Sequence, residues 1–147
     1  MTPAPDGTGQ AAAASTQVHG SSTDRIRASY IELAGSVPPS IEQRLTLADR
    51  TGRTEAVEAI EALRDVLIMK NPLGRKTGQL VHFGQLVALG EAVPARLHAR
   101  AALQAGATIE ELVGVAELAL ITSGMPAYSL GIEILAELGS THQGGVP

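Results

Sequence analysis

Between Gln79 and Leu138 the chain carries only eight charged side chains in 60 residues: Glu91, Arg96, Arg100, Glu110, Glu111, Glu117, Glu133 and Glu137. The same stretch reads as successive helical patterns joined by very short turns marked by glycine and proline. Eight charges are too few to solvate the outer faces of such helices. A domain of about 115 ordered residues has little centre in which to hide them, because small domains bury a modest fraction of their surface. Apolar surface left over in this way marks an interface, so the sequence predicts a homo-oligomer.

The helices can be followed in order. Asp24 to Ala34 puts Ile26, Tyr30 and Leu33 on one side, with Gly35 as a stop. After Pro38-Pro39 a second helix runs to about Thr51, with Leu45, Leu47 and Ala48 apolar. Thr54 to Met69 repeats Val57, Ile60, Leu63 and Leu67 at helical spacing, and Glu55, Glu58, Glu61 and Asp65 are expected to face away. A fourth helix is expected from Lys76 to Leu89 and a fifth from near Pro94 to Gln104 or Ala105. Thr108 and Glu111 match a capping box opening a sixth helix to about Thr122, and a seventh follows Pro126 and is expected to stop at Gly139. No segment alternates with period two. The fold class is therefore all-α, a single-domain bundle of about six to seven helices over residues 24–139. Residues 1–23, rich in Ala, Gly, Pro, Ser and Thr, read as a disordered tail, and residues 140–147 as a frayed one.

Several function classes are disfavoured by composition. A net charge of −4 and three aromatic side chains (Tyr30, Phe83, Tyr128) speak against nucleic acid as a partner, through both electrostatics and base stacking. No run reaches the roughly 18 apolar residues of a membrane span, and the first residues lack the features of an export signal, so a cytoplasmic location is expected. With no cysteine there is no thiol chemistry, disulfide or thiolate metal site. His82 and His98 lie on different helices without an obvious third ligand, so no metal is expected, and no cofactor-binding motif is present.

Polar residues in apolar surroundings are the candidates for chemistry. His98 has Ala95, Ala101 and Ala102 as helical neighbours, which leave room for a ligand or let another helix approach closely. Its imidazole suits general acid/base work, or it is a core histidine bonded to a carbonyl. Gln79 and His82 share a helix face at i, i+3, either as donors to a developing oxyanion or as a solvated polar stripe. Glu117 interrupts an apolar helix. It is a perturbed carboxylate, a partner of Arg96 or Arg100, or a resident of the outer face beside Glu110. Tyr128 is a cavity donor or ordinary packing.

The residues from Lys76 to Leu130, with Pro94-Ala-Arg-Leu-His98, Ala105-Gly-Ala-Thr108 followed by an acidic pair, and Gly124-Met-Pro-Ala127, resemble the carboxymuconolactone decarboxylase and alkylhydroperoxidase-D-like superfamily. The resemblance spans about Asn71 to Leu138 and implies an all-helical trimer, or a hexamer built from it. In the peroxidase branch a Cys-x-x-Cys-x-x-x-His motif follows a glutamate by about a dozen residues. Laid on this chain, the His falls on His98, the cysteines on Glu91 and Pro94, and the glutamate on Gln79. Thiol peroxidase chemistry is thereby excluded, and Glu91 becomes a candidate base or a helix-start acid. The decarboxylase branch keeps a His at this position without the dithiol. It implies a cofactor-independent enzyme acting on a small carbonyl or lactone substrate through a stabilised enolate. In that reading Gln79 and His82 act as oxyanion donors, His98 as proton donor, Glu117 or Glu91 as its support, and Tyr128 as a substrate contact. Isomerisation, dehydration or cyclisation of another carbonyl compound would use the same groups, and a non-catalytic oligomeric scaffold is the reading from a different class. Convergence of Gln79, His82, His98 and Glu117 on one cavity would favour an enzyme.

Overall fold

The computed structural model describes residues 21–142. They form seven helices: α1 (Ser22–Ala34), α2 (Pro39–Arg50), α3 (Thr54–Met69), α4 (Gly74–Leu89), α5 (Ala92–Gln104), α6 (Ile109–Ser123) and α7 (Met125–His142). Among the described residues there is no strand. Most of both expected tails, residues 1–20 and 143–147, lies outside them.

Local chemistry sets most helix ends. Thr108 accepts from the Glu111 backbone N–H at 3.1 Å, while the Glu111 carboxylate accepts from the Thr108 N–H at 2.9 Å, completing the capping box. Pro39 opens α2 where its missing N–H is not needed. Gly35 and Gly90 close α1 and α4 at φ 80° and 77°, a left-handed conformation that side chains resist. Gly139 does not stop α7, which continues through it to His142. A glycine inside a helix costs only about 1 kcal/mol relative to alanine, too little to break one already docked.

Two apolar clusters hold the helices. Phe83 and Val87 of α4, Ala95, Ala99 and Ala102 of α5, Leu112 and Ala119 of α6, and Ile134, Leu135 and Leu138 of α7 form the larger one. Ile26 and Tyr30 of α1, Ile41, Leu45 and Ala48 of α2, and Val57 of α3 form the smaller, against which Leu97 of α5 packs. Helix α5 therefore lies between the clusters, alanines toward one and Leu97 toward the other. Small residues allow close crossings around α6. A Cβ at Gly131 would lie 2.8 Å from the Ala116 Cβ, and one at Gly84 would lie 2.8 Å from Val115 Cγ1.

Two expected faces are corrected. In α3 only Val57 of the expected stripe is buried; Ile60, Leu63 and Leu67 are exposed, and Glu61, expected to face solvent, is buried instead. Leu47 of α2 is likewise exposed. The reason for Glu61 is polar: its carboxylate meets Tyr30, Arg44 and Arg64 from three helices, which compensates its removal from water. Among the described residues no helix is long and apolar enough to cross a membrane.

Candidate active site

Helix α4 presents Gln79 and His82 one turn apart, and α5 brings His98 against them. Gln79 and His98 are 1% and 2% exposed. The His98 Nδ1–H donates to the Gln79 side-chain oxygen at 2.6 Å. Because a carbonyl oxygen only accepts, this bond fixes the proton on Nδ1 and leaves Nε2 with a free lone pair. The His82 ring lies against that of His98, with the centroids 3.9 Å apart and the planes tilted by 41°. Ala95, Ala101 and Ala102 around His98 are fully buried. They allow close packing of neighbouring helices and do not line the cleft.

Helix α3 closes the site from the front. Glu61 accepts from Arg44 Nη1 at 2.9 Å on one oxygen and from Arg64 Nη1 at 2.9 Å on the other. The Tyr30 hydroxyl donates to it at 3.1 Å, and the Arg64 guanidinium sits 5.0 Å above the Tyr30 ring centre. Arg64, His82 and His98 line one open cleft of about 660 Å³, with Arg44, Ile41, Ile60, Val93, Pro94 and Leu97 among its walls. Arg64 and His82 also border a second cleft of about 430 Å³, which Gln79 lines.

Electrostatics keep both imidazoles neutral. Burial, then His82, then Arg64 push His98 down to about 3. Burial and Arg64 lower His82 as well. Burial raises the Glu61 carboxyl above its ordinary value against the pull of Arg44, while the two guanidinium groups on its oxygens favour the ionised form.

Of the residues singled out in the sequence, Gln79, His82 and His98 come together. Glu91 stands exposed as the N-cap residue of α5, Glu117 is exposed on α6, and Tyr128 is half-buried on α7. None of the three lines either cleft. Arg96, a possible partner of Glu117, makes a bidentate pair with Glu137 instead, at 2.8 and 3.0 Å. Among the described residues no group of three or more His, Asp or Glu is gathered as a metal ion would require.

The model of the carboxymuconolactone decarboxylase family matches residues 54–137, more than half of the chain. The chain belongs to the carboxymuconolactone decarboxylase family. Its fold is similar to the crystal structure of a candidate carboxymuconolactone decarboxylase from Burkholderia xenovorans LB400, with a TM-score of 0.66 and 22% identity, covering 86% of this chain and 97% of that one. No curated protein matches. The family match begins at Thr54 and so takes in α3, which the resemblance read from the sequence, starting near Asn71, left out.

The site residues that sequence reasoning missed are those of the front half: Tyr30, Arg44, Glu61 and Arg64. The one available signal was Glu61 and Arg64 at i, i+3 on a helix otherwise read as a plain amphipathic one. Nothing in the sequence joined them to residues of α1 and α2.

Proposed function

We propose that this carboxymuconolactone decarboxylase family member is a cofactor-independent acid/base enzyme of the cytoplasm acting on a small carbonyl or lactone substrate. The observation that carries the reading is the buried Gln79–His98 pair, with the His82 ring tilted against that of His98 where the two histidines line an open cleft. A neutral imidazole, oriented through Nδ1 and open at Nε2, is a general base. Gln79 thus orients His98 through its carbonyl oxygen, and its side-chain NH2 remains a donor for a developing oxyanion.

In the simplest course a carbon–hydrogen bond alpha to the carbonyl breaks, the proton passes to His98 Nε2, and the electron pair moves onto the carbonyl oxygen. His82 N–H and the Arg64 charge stabilise that enolate. The new negative charge raises both imidazoles, so the proton can return to carbon. For a carboxylated lactone, loss of carbon dioxide supplies the same electron pair, and the proton comes from solvent through the histidines. The family membership supports decarboxylation. Isomerisation or cyclisation of another carbonyl compound uses the same steps, and the amide at Gln79 favours it as the second reading, because an amide leaves His98 neutral where a carboxylate would hold it charged.

The test is independent of the final product. In deuterated water the protein should exchange the alpha hydrogens of small lactones and oxo acids, followed by NMR. His98→Ala should slow exchange by roughly 100-fold or more, the usual contribution of a positioned acid/base. Absence of exchange across such compounds, or an unchanged rate in His98→Ala, would remove the proposal.

A further inference from the structure

Gly78 is a glycine that the packing of the fold does not require. It lies inside α4 without a left-handed backbone, where glycine costs stability relative to alanine. At Gly84 and Gly131 a Cβ would lie 2.8 Å from a side chain of α6, whereas at Gly78 it would meet no neighbouring atom within 4 Å. Gly78 lines the second cleft, which runs between α3 and α4. Arg64, Leu67 and Ile68 share one face of α3 at i, i+3 and i+4, and Gly78, Val81 and His82 share one face of α4 at the same spacing. Its volume of about 430 Å³ lies within the range of about 300–1,000 Å³ for small-molecule sites. The same cleft holds an unused donor. Gln79 is 1% exposed; its carbonyl oxygen holds His98, and its Nε2 makes no hydrogen bond among the described residues. Among those residues the side-chain atom both sealed from solvent and unpartnered is Arg75 Nε, so the Gln79 nitrogen is open to the cleft that its residue lines. Gln79 does not line the first cleft and His98 does not line the second, while His82 and Arg64 border both. A molecule held beside His82 and Arg64 therefore has Gln79 on one side and His98 on the other.

We propose that the cleft between α3 and α4 is the carbonyl subsite of this active site. Gln79 Nε2–H donates to the carbonyl oxygen of the substrate, and the substituent beyond that carbonyl lies against the bare backbone at Gly78, between Ile68 and Val81. This rests on the acid/base reading above and adds a substrate shape to it. The carbonyl is internal, as in a ketone or a lactone, with its alpha carbon toward His98 in the first cleft and its other substituent in the second. A neutral amide donor suits a neutral carbonyl oxygen, and the same N–H meets the negative charge as the enolate forms. The missing side chain at Gly78 lets the ligand approach the helix backbone closely. Gly78 is thus a specificity-determining residue, because any side chain there would occupy the space of the substituent.

The experiment compares cyclopentanone, an internal ketone, with methylenecyclopentane, in which a methylene group replaces the oxygen. Binding to the full chain is read by NMR from the Gln79 side-chain NH2 and the His98 ring. The ketone should shift both saturably, and the hydrocarbon should bind roughly tenfold more weakly, the factor for one lost hydrogen bond. Gly78→Leu should fold with an unchanged or higher denaturation midpoint, since leucine favours a helix and enters open space, yet it should abolish the ketone's shift at Gln79. Unmoved Gln79 resonances, equal binding of ketone and hydrocarbon, or a Gly78→Leu chain that binds as the parent does would each overturn the subsite. A Gly78→Leu chain that changes its mass in light scattering but still binds the ketone would overturn it too, and would mark the groove as a contact between copies. The alpha-hydrogen exchange measurement judges the acid/base reading separately. Exchange that depends on His98 beside a silent Gln79 keeps that reading without the subsite, and binding at Gln79 without exchange removes that reading while the cleft remains a carbonyl site.

Discussion

His98 shows how a single residue takes its chemistry from its surroundings. An ordinary imidazole titrates near 6.5, but this one is buried, in tilted contact with a second histidine and close to a guanidinium, and is pushed down to about 3. Two consequences follow at this scale. Its ring resonance should stay fixed while an exposed histidine titrates through 6.5, and in Gln79→Glu it should titrate at visibly higher pH, because a carboxylate partner favours imidazolium. A His98 that titrates near 6.5 in the unaltered protein would contradict this environment. The lowered value also bears on stability. Above the unfolded value of about 6.5 both states hold the ring neutral; below it the unfolded chain takes up a proton that the folded one resists. Stability contributed by this residue is therefore complete above pH 6.5 and is lost as pH falls toward 3, which urea unfolding at several pH values would register.

Among the elements, α3 and α6 teach opposite lessons. The periodicity of α3 identified an amphipathic helix but assigned its faces wrongly, since Glu61 points inward and Ile60, Leu63 and Leu67 point outward. Hydrophobic spacing reports a stripe, not what covers it, and Tyr30, Arg44 and Arg64 come from three separate helices. The capping box of α6, by contrast, is read directly from Thr108 and Glu111 because both partners lie within one turn. Where α6 crosses α7, the contact is backbone-close at Gly131 and Ala116. Gly131→Ala places a methyl 2.8 Å from another methyl that has no rotamer with which to yield. The variant should lose about 1–3 kcal/mol of stability by denaturant titration, the range for overpacking; an unchanged midpoint would mean that the crossing is looser than described.

For the whole molecule, the shortage of charge noted between Gln79 and Leu138 reappears as exposed apolar side chains. Leu118, Ile121 and Met125 on α6 and α7, and Leu63, Val66 and Leu67 on α3, lie in the open on one subunit. The chain outside the described residues offers little to cover them: residues 1–20 and 143–147 include no Leu, Ile or Phe. We therefore propose further copies of the chain as the occupants, in a trimer or a hexamer. Light scattering after size-exclusion chromatography should give three or six times the 15.1 kDa of one chain, and Ile121→Glu should shift it toward monomer. A wild-type monomer at micromolar concentration would rule the assembly out.

The sequence by itself determined the helical class, most helix boundaries and the pairing of Gln79 with His82, because these rest on spacing, capping and turn chemistry within a few residues. It also excluded thiol chemistry, since no cysteine is present. Only the tertiary structure decided that His98 meets Gln79 through Nδ1, that Glu117, Glu91 and Tyr128 stand away from the cleft, and that an Arg–Glu–Arg cluster from α2 and α3 borders it. Those contacts join residues distant in the chain, and no local pattern records which buried charge will find which partner.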